Sequence, residues 1–135
     1  MTFTEQIKTV CVIDDDEIYV YGLKKLISIK QLCPDLIEFK NGKEAIDFLM
    51  DPQNDHQIPD IIFLDINMPV MDGWDFMESF VKIKPRLGKK ITIYMVSSSV
   101  NDQDIERAKN IAEITDYISK PVTPARLVEL FSLAA

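Results

Sequence analysis

The feature that most constrains this chain is the regular alternation of short, β-branched apolar runs with longer stretches of helical spacing. Thr9–Ile13, Ile61–Leu64 and Ile91–Val96 are almost wholly apolar, which is the pattern of strands buried on both faces of a parallel sheet. Leu36–Phe39 and Tyr117–Ile118 are weaker runs, interrupted by Glu38 and Ser119, as suits flanking strands. Apolar residues between and after these runs fall on one helical face: Ile18, Leu23, Leu26 and Ile27, then Ala45, Ile46 and Leu49, then Phe76, Met77 and Phe80, then Ile105, Ala108 and Ile111, and finally Leu127, Leu130 and Phe131. Two helix starts are marked by their caps. Thr123-Pro124 is a hydroxyl followed by proline at the first helical position, and Asn41 with Glu44 three residues on reads as a capping box rather than a hairpin turn. Because right-handed crossovers distribute helices over both faces, five strands alternating with five helices predict an α/β fold with a doubly wound parallel sheet.

The 135 residues match one ordinary domain, so residues 1–135 are expected to form a single unit with no attached output domain. No internal repeat appears, and Asp51–Pro59, with its two prolines and the lone His56, has the composition of a connector. Hydrophobic residues at 47% and charged residues at 27% supply a continuous core. The net charge of −7, with only Lys89-Lys90 as a basic pair, argues against binding nucleic acid or an anionic membrane surface. Cys11 and Cys33 make neither a disulfide framework nor a metal pattern, and Met1–Gln6 lacks the basic start and apolar core of a leader. A reducing, cytoplasmic setting is expected.

In an open parallel sheet, ligands gather beyond the carboxyl ends of the strands, near the switch in strand order. Here those ends read Asp14-Asp15-Asp16-Glu17, then Asp65, then Ser97-Ser98-Ser99, then Lys120-Pro121. Singly, each has an ordinary structural reading, since an Asp or Ser after a strand caps the next helix and a Lys before proline is solvated. Together they place an acid pair, a third acid, a hydroxyl and an ammonium at one rim, which capping alone does not require. Clustered carboxylates repel one another and suit Mg²⁺, a hard ion that takes one or two carboxylates together with waters and phosphate oxygens.

Val12-Ile13-Asp14-Asp15, Leu64-Asp65-Ile66-Asn67-Met68-Pro69 with Met71-Asp72-Gly73, Met95-Val96-Ser97 and Tyr117-Ile118-Ser119-Lys120-Pro121 resemble the receiver domain of two-component response regulators, across roughly residues 8–133. The resemblance implies a flavodoxin-like sheet of order 2-1-3-4-5, of the stand-alone chemotaxis-regulator kind. It implies that Asp65 is the phosphoryl acceptor, charged by a phosphohistidine on a sensor histidine kinase or a histidine phosphotransfer protein. Asp15 would ligate Mg²⁺ directly, Asp14 largely through water, and Asn67 through its backbone carbonyl. Lys120 and Ser97 would contact the phosphoryl oxygens, with Ser97 and the aromatic Tyr117 acting as the switch pair. Output is expected through residues 101–112 and 117–133, toward another protein or, after phosphorylation, a second copy of the chain. Asp16 is left to cap the first helix, while Ser98 and Val122 depart from the small and aromatic residues many receivers carry there. Gly73 is expected to serve the loop through its backbone angles, and Trp74 to pack.

Two rival readings stand beside this one. A phosphatase of the haloacid-dehalogenase type also uses a strand-end aspartate and Mg²⁺, but normally needs a second Asp where this chain has Asn67. A receiver-like module that binds partners without phosphorylation would not need the complete set of acids, hydroxyl and lysine.

Overall fold

The computed structural model describes residues 7–98 and 101–135. The expected strands form β1 (Thr9–Ile13), β2 (Asp35–Phe39), β3 (Ile61–Asp65), β4 (Thr92–Ser97) and β5 (Ile114–Ser119). They pair in parallel in the order β2-β1-β3-β4-β5, so the chain reverses its direction of winding between β1 and β3. The helices are α1 (Glu17–Ile29), α2 (Gly42–Met50), α3 (Gly73–Leu87), α4 (Asp102–Lys109) and α5 (Pro124–Ala134). Ser99, the last of the strand-end hydroxyls, and the Met1–Gln6 segment lie outside the described residues.

Side-chain alternation along the central strands divides the core into two clusters, one on each sheet face. Val10, Val12, Ile61, Phe63, Tyr94 and Val96 face α1 and α5, meeting Val20, Leu23, Ile27, Leu127, Leu130 and Phe131. Cys11, Ile13, Ile62, Leu64, Ile93 and Met95 face the other way, onto α2, α3 and Ala108 of α4. Both cysteines are buried and unpaired, with burial pushing the Cys33 thiol up to about 11. Tyr94 crosses its layer to donate from its hydroxyl to the Leu130 carbonyl at 2.7 Å, fastening β4 to α5.

The caps read from the sequence are formed. Asn41 accepts from the Glu44 amide, Thr123 from the Arg126 amide, and Asp16 from the Tyr19 amide. Four expectations need correction. Ile18 is 87% exposed, because it lies five residues before Leu23 and so falls away from the buried stripe of Val20, Leu23 and Ile27. β5 begins at Ile114 rather than at Tyr117, its early residues joining through an irregularity beside Ile93 and Tyr94. The connector is an ordered 3-10 helix at Pro52–Gln57, capped by Asp51 and tied by the Asn54 side-chain Nδ2 donating to the Phe48 carbonyl. Gly73 has no positive φ; the fourth correction concerns what its missing side chain makes room for.

At the amino ends of the strands, a single carboxylate does the joining. Asp60 accepts from the backbone amides of Lys8 at 2.8 Å and Thr9 at 3.1 Å and pairs with Lys89 at 2.9 Å, while its carbonyl accepts from the Thr92 amide.

Candidate functional site

The register of the sheet assembles the carboxyl-end rim. Ile13 lies beside Leu64, so Asp14 and Asp65 continue adjacent strands by one residue each. Asp65 in turn lies beside Val96, which sets Ser97 one step further out, and Ser97 pairs with Ser119, just before Lys120. Backbone bonds fix these ends: the Asp14 amide donates to the Phe39 carbonyl and the Lys120 amide to the Ser97 carbonyl, both at 2.9 Å.

Asp14, Asp65 and Ser97 are buried, whereas Asp15 is exposed. One carboxylate oxygen from each of Asp14, Asp15 and Asp65 lies within 4.8 Å of the others. Lys120 reaches into this group, its Nζ 2.7 Å from Asp14 Oδ2 and 3.6 Å from Asp65 Oδ1, with only 12% of the side chain exposed. Burial pushes the Asp65 carboxyl up to about 6, and the Asp14 charge adds to the effect while Lys120 opposes it. Burial works against the Lys120 charge, yet its bond to Asp14 and the surrounding carboxylates hold its pKa above the ordinary lysine value. An all-oxygen donor set of this kind, with no thiolate or imidazole among the clustered residues, fits Mg²⁺.

The loop from Ile66 to Asp72 is clamped beside the cluster. The Gly73 amide donates to the Ile66 carbonyl at 2.8 Å and the Gly42 amide to the Met71 carbonyl at 3.0 Å. A Cβ at Gly73 would lie 2.4 Å from the Asp65 carbonyl oxygen, so glycine is required for close approach of two backbones rather than for an unusual angle. Within the loop, the Met71 amide bonds back to the Pro69 carbonyl at 2.7 Å, closing a three-residue turn around Val70, whose φ is 69°. Asn67, at the near end of this loop, is exposed.

Thus Asp14, Asp15, Asp65 and Lys120 meet in one cluster, with Ser97 at the end of the adjoining strand. Tyr117 stands two residues before Ser119 on β5, half-buried against the α3 and α4 side of the core. Asp16 caps α1, and its own amide donates to Asp14 Oδ1 at 2.9 Å. Trp74 is buried, with the Arg107 guanidinium 4.4 Å from its ring centroid, and His56 sits exposed in the 3-10 helix. Sequence reasoning missed Tyr19, whose ring lies 4.4 Å beneath the Lys120 ammonium. Its position three residues after the Asp16 cap was a usable signal, because side chains in a first helical turn lean back toward the helix start.

The model of the response regulator receiver domain matches residues 10–132. This chain belongs to the response regulator receiver family. It is 33% identical over 122 residues to the chemotaxis protein CheY of Thermotoga maritima, covering 90% of this chain and 92% of that one. It is also 30% identical over 98 residues, 73% of this chain, to hybrid signal transduction histidine kinase I of Dictyostelium discoideum, of which the match spans only 6%. Among solved structures, a two-component response regulator from Cytophaga hutchinsonii superposes with a TM-score of 0.85 at 28% identity, covering 95% of this chain and 96% of that one. The chain is therefore a receiver domain of two-component signalling, linked by kinship to histidine kinases, and no described helix is long and apolar enough to cross a membrane. Membership of this receiver family sets aside the haloacid-dehalogenase reading.

Proposed function

We propose that this receiver accepts a phosphoryl group on Asp65 from a phosphohistidine of a sensor histidine kinase or histidine phosphotransfer protein. The observation that carries this reading is the lysine held between two buried carboxylates, with Lys120 Nζ 2.7 Å from Asp14 and 3.6 Å from Asp65. Asp65, with a pKa raised to about 6, is largely ionised at neutral pH and so available as a nucleophile. Its carboxylate oxygen forms the new bond to phosphorus, the bond from phosphorus to the imidazole nitrogen breaks, and the departing nitrogen keeps the electron pair. The product on this chain is a mixed carboxylic–phosphoric anhydride. Asp14, Asp15, Asp65 and the Asn67 backbone carbonyl would hold Mg²⁺, which when bound would supply positive charge against the phosphoryl oxygens. Lys120 pairs with a phosphoryl oxygen once Asp65 has spent its own charge, and the Ser97 hydroxyl donates to another.

The same reading makes residues 101–112 and 117–133 the output face, presented to a downstream protein or to a second phosphorylated copy of the chain, with Ser97 and Tyr117 as the switch. Its setting is the cytoplasm, which suits two buried, unpaired cysteines.

Incubation with acetyl phosphate and Mg²⁺, followed by intact-mass measurement and site mapping, tests the proposal. One phosphoryl group is expected, labile to hydroxylamine, absent from Asp65→Asn and absent in excess chelator. The same mass gain at the same rate in Asp65→Asn would overturn it, and a parent protein that never gains mass would instead mark a module that binds without phosphorylation.

A further inference from the structure

The acids and lysine of the cluster have assigned work, but Tyr19 does not. It stands in the first turn of α1, half-buried, with its ring packed against the α1/α5 side of the core. Its hydroxyl oxygen is buried and has no hydrogen-bond partner among the described residues. An unsatisfied buried hydroxyl costs stability, so no hydrogen bond accounts for a phenol rather than a plain hydrocarbon side chain here. The contact Tyr19 does make with the site is through its ring face, 4.4 Å from the Lys120 ammonium. That ammonium is nearly closed off from water and faces Asp14 and Asp65. Burial first, and the charges of Asp14, Asp65 and Asp16 second, push the Tyr19 hydroxyl above the usual tyrosine value.

We propose that Tyr19 is a positioning residue for Lys120: its ring face supports the ammonium and keeps it aimed at Asp65 when the Asp65 carboxylate is consumed by phosphorylation. This rests on the reading of Asp65 as acceptor. Asp14 alone would draw the ammonium away from Asp65, since it already holds Nζ at the shorter distance of 2.7 Å. A ring on one side limits how far the flexible lysine stem can swing toward α1. A water-excluded cation over an aromatic face is held more firmly than an exposed one, and the lysine side chain here is 12% exposed. Ring and hydroxyl therefore separate cleanly: the placement of Lys120 depends on the first and not on the second.

The test uses the full chain and Tyr19→Phe, Tyr19→Leu and Tyr19→Met variants, with amide spectra showing that each retains the fold; Tyr19→Met replaces Tyr19→Leu if the latter does not. In the metal-free parent, the Lys120 side-chain methylene protons should resonate upfield through the ring current. The shift should persist in Tyr19→Phe and vanish in the aliphatic variants. With acetyl phosphate and Mg²⁺, the aliphatic variants should lose about fivefold in the maximal phosphorylation rate with a smaller change in the KM for acetyl phosphate, and Tyr19→Phe should restore the rate. Unshifted Lys120 resonances in the parent, or equal losses in Tyr19→Phe and Tyr19→Leu, would overturn the proposal. A parent that takes no phosphate would instead sink the Asp65 reading, and the Lys120 resonances would still decide the ring contact.

Discussion

At the scale of single residues, the loop beside Asp65 holds two positions with opposite tolerances. Gly73 leaves no room for a methyl group, since its Cβ would sit 2.4 Å from the Asp65 carbonyl oxygen and neither backbone can yield cheaply. Gly73→Ala should destabilise the protein by about 2 kcal/mol and slow phosphorylation, because the relaxation shifts Asp65, the proposed acceptor; urea denaturation and the acetyl phosphate rate check both. Val70 is the converse: a β-branched residue at φ 69°, 78% exposed, in a conformation it adopts at a cost. Val70→Asn should raise stability by roughly 1 kcal/mol, readable as a higher urea midpoint, because asparagine tolerates the left-handed region. Both positions lie in a motif that the sequence displays openly, yet only backbone geometry separates them. The acids and the lysine were legible because a strand end fixes where a residue sits. Tyr19 was less so: its place in the first turn after the Asp16 cap points it toward the rim, but its part depends on the lysine that arrives from β5.

At the scale of elements, Ser97 ends β4 and is held to the start of the lysine segment through the bond from the Lys120 amide to its own carbonyl. That main-chain bond survives Ser97→Ala, so the substitution should leave Asp65 open to phosphorylation. On the proposed switch it should, however, remove the hydroxyl that phosphoryl oxygens would draw inward, a charge-assisted bond of roughly 1.5–3 kcal/mol. The gain in partner or self-association on adding beryllofluoride should accordingly shrink about tenfold or more in titrations; an undiminished gain would break the coupling. The central strands were legible because all their residues are buried, and an uninterrupted apolar run marks them. β5 was only partly so: it lies at the sheet edge, and the exposed Thr115 and Asp116 separate its buried first residue, Ile114, from Tyr117 and Ile118, so no continuous apolar run marks its start. The 3-10 helix at Pro52–Gln57 buries none of its residues, and with nothing to face a core its sequence reads as a connector. Ile18 misled for a related reason, being apolar and yet on the solvent side of α1.

At the scale of the molecule, the two ends of the sheet answer pH with opposite sign. Asp65 has a folded-state pKa raised from 3.8 to about 6, so the native state binds the extra proton. Its favourable contribution is complete below about pH 4 and is lost as pH rises through 6. In the presence of chelator, Asp65→Asn should therefore stabilise the protein at pH 8 by on the order of 2 kcal/mol, and the gain should fade toward pH 4. For Asp60 burial is outweighed by Lys89 and the Lys8 and Thr9 amides, so its carboxyl lies below the ordinary value of 3.8. Its contribution is present above pH 4 and lost on further acidification, so Asp60→Asn should destabilise at pH 7 and cost progressively less below pH 4. Urea midpoints across pH 3–8 for the two variants check both signs. The division of the core has its own consequence at the β5 edge. α4 rests on one hydrophobic cluster and α5 on the other, with the sheet as a wall between them. A surface that spans both helices is thus a seam between two separately anchored bodies. Its contour can alter by a small slip of one helix past the other without opening either core, and a binding partner placed across it senses the relative setting of two halves, as a vernier reads two scales.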